Sequence, residues 1–454
     1  MTKLLLAAVL SLGGALVPQS ASAIQWEKCP PDPPYPAPGD GIECGTVEVP
    51  VDWSLPDGEQ IKIFASRSKA RKQKLGTLVT NPGGPGNPGA TPVMRAPEEF
   101  PDEILDSFDI IGFDPRGIGR SHDIQCDDTL VNKTFPPPAT QAAWDELVVH
   151  NRRVGESCRE KTGPLFDHLD TMSVARDVEA IRRALGAEKI SFLGQSYGTL
   201  IGQHYAQLFP DKLDRLVLDG VVDHGLKTAA AQLLDGAKES ERAYREYLDP
   251  AQRRTVTLLF AKADRGTLKH GTTIVTPHML TALLNEYFGA DSMKELIKNL
   301  ATGKGEVPFE SPYVEIMHRA TWCQDFSVTT TFAQFGKAMA AAREAAPGIR
   351  HNAQSTDFVL GCQGWPAKVT NPPATPELKG VNALIATYER DLATPKAWAL
   401  RVAARIPAAR RVVLAATGHI IYGRHAVTDA QKCVQREISR FLITGESSGT
   451  TCGN

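Results

Sequence analysis

The chain has 454 residues, of which 42% are hydrophobic and 22% charged, and its formal net charge is −2. That length exceeds one ordinary domain of roughly 100–200 residues and leaves room for a large core carrying an insertion. A balance so close to neutral excludes an electrostatic reason to bind nucleic acid or an anionic membrane.

Lys3 precedes an apolar run from Leu4 to Val17, and Ala21-Ser22-Ala23 follows. Charge, apolar stretch and small residues in that order read as a secretory signal peptide, residues 1–23, with the mature chain starting at Ile24. The run falls short of the ~20 residues that span a bilayer, and no Cys follows the small residues to accept lipid. Cleavage and release are therefore expected, giving a secreted protein with no membrane attachment. In an oxidising compartment the eight cysteines are expected to pair. The expected pairs are neighbours along the chain: Cys29 with Cys44, Cys126 with Cys158, Cys323 with Cys362, and Cys433 with Cys452. The chain contains neither C-x-x-C nor H-E-x-x-H, so no metal or other cofactor is expected.

After a Pro-rich entry, Gly45–Val51 and Gln60–Ser66 alternate as early antiparallel strands. Buried strands then follow at Gly76–Thr80, Phe108–Asp114, Ile190–Gly194 and Leu213–Asp219. Helices are expected at Val174–Leu185, with Val174, Val178, Ile181 and Leu185 on one face, and at Thr199–Phe209. Alternation of strand and helix predicts an α/β fold, a mainly parallel sheet flanked by helices. Residues 223–376 break the rhythm with helical patterns at Ala229–Leu248, His278–Leu300 and Phe332–Ala345. Strands resume at Val381–Thr387 and Arg411–Ala416. The economical division is a core of residues 24–222 and 377–454 interrupted by an inserted helical cap at 223–376.

Gly194-Gln195-Ser196-Tyr197-Gly198 lies between a buried strand and a helix. A G-x-S-x-G there lets the chain bend tightly and lifts a serine oxygen above the sheet, so Ser196 is the expected nucleophile of an α/β-hydrolase fold. A serine hydroxyl needs a base and the base an oriented acid, in chain order Ser, Asp, His. His419 follows the last long strand and is the expected base, whereas His204, His278 and His425 lack that placement. Asp391 is the expected acid, with Asp219 and Asp223 as competitors. The two N–H groups of an oxyanion hole are assigned to Gly84, in Asn81-Pro82-Gly83-Gly84-Pro85-Gly86, and to Tyr197. Asp114-Pro115-Arg116-Gly117 is expected to brace its loop by internal Asp–Arg pairing.

Pro82-Gly83-Gly84-Pro85-Gly86, Gly112-Phe113-Asp114-Pro115-Arg116-Gly117, the serine motif, Asp391 with Thr394-Pro395, and Gly418-His419 together resemble the prolyl iminopeptidase and tripeptidyl aminopeptidase family of secreted serine peptidases. Cys362-Gln363-Gly364-Trp365-Pro366 resembles that family's C-x-x-W-P element. The sequence departs from the family at Asn87-Pro88 and at Leu392. The resemblance runs from about Cys44 to His419 and implies an aminopeptidase releasing short amino-terminal units. A small-molecule esterase or amidase is the alternative, and a non-catalytic binding protein a third reading. An aminopeptidase has to recognise a free α-ammonium, for which the cap offers Glu310, Glu315 and Asp325.

Overall fold

A computed structural model describes residues 23–31, 37–131, 135–288, 292–307 and 316–453. The expected signal peptide therefore lies outside the described residues, except for Ala23.

Twelve strands occur in chain order among the described residues: β1 Glu27–Lys28, β2 Ile42–Pro50, β3 Gln60–Ser68, β4 Gly76–Asn81, β5 Phe108–Phe113, β6 Ile190–Gln195, β7 Leu213–Asp219, β8 Lys269–His270, β9 Thr273–Ile274, β10 Ala383–Arg390, β11 Arg410–Thr417 and β12 Thr451–Cys452. All but β8 and β9 form one ten-stranded sheet ordered β1-β2-β3-β5-β4-β6-β7-β10-β11-β12. Pairing from β1 through β3 to β5 is antiparallel, as the early alternating segments imply. Every other pairing in the sheet is parallel.

Side chains of a strand alternate between the sheet's two faces, and here both faces are buried. Val79, Phe192, Leu218 and Ile385 enter one hydrophobic cluster. Their neighbours Leu78, Leu193, Val217 and Leu384 enter the cluster on the other face. Continuous apolar runs were the sequence signal for these strands, and two-sided burial is its cause. The chain runs from β4 to β5 on one side, yet β6 pairs with the opposite edge of β4. This reversal opens a crevice at the carboxyl ends of β4 and β6, the place where open α/β sheets bind ligands.

Between β7 and β10 the described chain has seven helices and the β8–β9 ribbon. Ala229–Tyr247 and Phe332–Ala345 match the expected helices closely. The single helix expected over His278–Leu300 is instead two, Pro277–Tyr287 and Met293–Thr302. A third hydrophobic cluster, including Val256, Phe260, Leu284, Leu296 and Ile349, belongs to these helices. Met317, Trp322, Phe326 and Phe358 of the same segment instead join the main core. All four neighbour pairs of cysteines are disulfide-bonded.

The loop after β5 corrects one expectation. Arg116 does not pair with Asp114; it forms a fully buried two-pronged ion pair with Asp177, at 2.7 Å for each bond. It also donates to the carbonyls of Pro50, Val51 and His168. Asp114 instead accepts the N–H groups of Ala90 and Arg120 at 3.0 Å. Arg116 thus ties the loop to the helix Thr171–Ala184, and the pairing is long-range rather than internal. Removing one partner strands the other charge in the interior, so Asp177→Ala should lower unfolding stability by about 3–5 kcal/mol, measured by urea denaturation.

Candidate active site

Ser196, Asp391 and His419 lie just past the carboxyl ends of β6, β10 and β11. Ser196 has a φ of 52°, in the left-handed region. That bend needs flanks without side chains. A Cβ on Gly194 would strike the backbone of Gly198 and Thr199, and one on Gly198 would strike the backbone of Asn81. The Ser196 N–H is fixed by the Asp219 carbonyl at 2.8 Å.

His419 Nε2 lies 2.8 Å from Ser196 Oγ. Its Nδ1 lies 2.8 and 3.0 Å from the two oxygens of Asp391, a fully buried carboxylate. Only the tautomer with the proton on Nδ1 satisfies both contacts, which leaves Nε2 as acceptor for the serine hydroxyl. Asp391 also accepts the N–H groups of Ala393 and Thr394 and the Thr394 hydroxyl, at 2.9–3.0 Å. Those bonds fix its plane toward the imidazole. Burial alone would lower the His419 pKa; the Asp391 charge and hydrogen bond, with Asp219, outweigh it and raise it above 6.5.

Asn81 Oδ1 accepts the Gly83 N–H at 3.0 Å and shapes the loop beside the elbow. Gly83 is pressed against the elbow: a Cβ there would lie 2.7 Å from the Tyr197 nitrogen. Among the described residues, neither the Gly84 N–H nor the Tyr197 N–H donates to a protein acceptor. Both are available to an incoming oxygen.

The competing residues have other partners. Asp223 pairs with Arg401 and Arg405. Asp219 accepts the N–H groups of Ile421 and Tyr422. His204 is buried beside Asn371, and burial followed by neighbouring His224 pushes its pKa down to about 3. His278 bonds His351 and Asp357, and His425 is exposed near Glu99.

Asp325 is fully buried and accepts the Tyr197 phenol, the Thr171 N–H and hydroxyl, and the Asn371 amide. Its oxygens are occupied, so it is unsuited to meet a substrate ammonium. Glu310 and Glu315 lie outside the described residues. Above Tyr197 the ring of Trp322 packs at 5.8 Å and itself stacks at 4.2 Å on Phe326 and on Phe358. The sequence motifs include Gly83 and Thr394 without a role for either; the close approach of Gly83 to Tyr197 and the bond from the Thr394 hydroxyl to Asp391 supply those roles.

Among the described residues, no cluster of three or more His, Cys, Asp or Glu has the arrangement to hold a metal, and no helix is long and apolar enough to cross a membrane.

Comparison with known proteins places these features among hydrolases. A tripeptidyl aminopeptidase of Streptomyces lividans is 37% identical over 215 residues, covering 44% of this chain and 39% of that protein. Serine protease Hip1 of Mycobacterium tuberculosis is 35% identical over 237 residues, covering 51% of this chain and 45% of that protein. Carboxylesterase B of Mycobacterium tuberculosis is 32% identical over 187 residues, covering 40% and 36%. The chain spans less than half the length of these curated relatives. The alpha/beta hydrolase fold family matches residues 76–426, a stretch that includes Ser196, Asp391 and His419. With a match over that much of its length, the chain belongs to the alpha/beta hydrolase fold family.

Proposed function

We propose that this protein is an exported serine peptidase that releases short units from the amino terminus of peptides. The observation that carries the reading is the unbroken hydrogen-bonded line from Ser196 through His419 to buried Asp391. In this reading His419 takes the Ser196 proton as Oγ attacks the scissile carbonyl. The new oxyanion accepts the N–H groups of Gly84 and Tyr197. His419 then gives its proton to the leaving amine, forming an acyl-serine that water hydrolyses by the same steps. Asp391 holds the imidazole tautomer and balances the imidazolium charge.

The peptide preference draws on the relatives named as a tripeptidyl aminopeptidase and a serine protease. Export draws on the signal-like sequence and four disulfides. Residues 223–376 act as a cap over the core formed by 24–222 and 377–454. The relative named Carboxylesterase B favours a second reading, hydrolysis of small esters or amides by the same three residues. One comparison separates the two. A peptidase of this kind should cut unblocked peptide amides, and N-acetylation should lower kcat/KM by at least about a hundredfold, the scale of losing a buried charged contact. Equal rates on blocked and free substrates, or action on esters alone, would favour the esterase.

Ser196→Ala should fold normally and lose about 10⁴–10⁶-fold in turnover. Asp391→Asn should cost far more activity than Asp219→Asn or Asp223→Asn; the reverse order would move the acid to β7. Because a base acts only when neutral and the His419 pKa is raised, kcat/KM should fall as pH drops through a midpoint above 6.5. A midpoint below that value would contradict the raised pKa, and a rate with no acid limb would remove His419 from the role.

A further inference from the structure

Asp219 ends β7 with a completely buried side chain, beside the Ser196–His419–Asp391 line but outside it. Its Oδ2 accepts the N–H groups of Ile421 and Tyr422 at 2.9 and 2.8 Å. Gln195 donates to the Tyr422 carbonyl at 2.8 Å and lies 3.4 Å from the same Oδ2. Oδ1 has no hydrogen-bond partner among the described residues. The next residue, Gly220, runs against the imidazole: a Cβ there would lie 3.1 Å from His419 Cε1. Asp219 therefore holds the nucleophile's N–H through its own carbonyl and the segment after the base through its side chain.

That segment needs holding. Ile420 has a φ of 63°, a conformation a β-branched residue adopts only under restraint. A cavity of about 330 Å³ lies against the segment, walled by Pro82, Leu193, Gln195, Ile420, Ile421 and Tyr422, so packing does not support it from that side. A neutral side-chain oxygen would accept the same two N–H groups at lower desolvation cost. What a carboxylate adds is negative charge, next to the ring that becomes cationic in the reaction.

We propose that Asp219 is a positioning residue for the base: it clamps residues 420–422 so that His419 stays over Ser196, and its charge stabilises the imidazolium. The inference rests on the reading of His419 as general base. The other titratable groups facing this pair are few. Asp391 and Tyr388 come from β10 and the turn after it, and Tyr422, bonded to Ser439, comes from the clamped segment. Glu239 of the cap, paired with Arg242, faces Asp391. Burial pushes the Asp219 carboxyl up, against the opposing pull of the Tyr422 and Ile421 N–H groups. Asp219 in turn contributes to the raised His419 pKa.

The test is the rate at which a fluorophosphonate labels the full chain, followed across pH, for wild type, Asp219→Asn and Asp219→Ala, with Ser196→Ala as control. This probe reads the nucleophile and its base without a known peptide substrate. Asp219→Asn keeps an acceptor for both N–H groups and puts its amide nitrogen where unpartnered Oδ1 sits. It should lower the plateau rate and shift the acid-limb midpoint to lower pH, because a charge favouring the imidazolium has gone. Asp219→Ala loses the clamp too and should slow labelling about ten- to a hundredfold, the scale of displacing a catalytic group by up to an ångström. An Asn variant with wild-type plateau and midpoint overturns the proposal, even if the Ala variant does not fold. Labelling of Ser196→Ala overturns the reading of the nucleophile instead, and a wild-type rate independent of pH overturns the reading of the base.

Discussion

The imidazole of His419 must meet a hydroxyl from the end of β6 and a carboxylate from the end of β10, and it meets both at 2.8 Å. Small displacements of either end break the line, so the site depends on how well the sheet fixes three strand termini. Parallel pairing of β6, β7, β10 and β11 does this, since each strand is held by ladders on both edges. The glycines at Gly194 and Gly198 then let the elbow close against β4. Backbone strain at Ser196 and Ile420 persists because surrounding hydrogen bonds over-determine it.

Legibility in the sequence followed the range of the interactions involved. The inner strands were readable because burial on both faces leaves runs such as Leu78-Val79 and Phe192-Leu193 without polar alternation. The elbow was readable because its requirements are local: a strand, two glycines and a helix, all between Ile190 and Leu208. Order along the chain narrowed the choice of acid but left Asp219 and Asp223 beside Asp391, since all three follow strands. Only partners brought from elsewhere separate them: Arg401 and Arg405 for Asp223, the 421–422 amides for Asp219, and the imidazole for Asp391. The partner of Arg116 was illegible for the same reason, as Asp177 lies 61 residues away. The long helix Gln141–Thr162 was also passed over, because its buried stripe includes His150, Asn151 and Gly155 among the apolar residues, which dilutes the period.

The segment between β7 and β10 is anchored in two different ways. Its outer helices share a hydrophobic cluster of their own. Its inner residues Trp322, Phe326 and Phe358 are part of the main core and stack toward Tyr197, whose phenol is bonded to Asp325. Movement of the outer part leaves the main core covered, while withdrawing the inner part would expose three aromatic rings and strand a buried carboxylate. The elbow and the inner part of this segment therefore form one packed unit.

Ser196 and His419 are 223 residues apart in the chain. A ribosome delivers Ser196 long before His419, and in that interval the serine is an ordinary hydroxyl without the imidazole beside it. Contacts this distant in sequence form late, since closing so long a loop precedes any gain from the contact. The pairing of Ser196 with His419 is consequently among the last contacts the chain acquires, and whatever reactivity that pairing confers is absent from an unfinished copy.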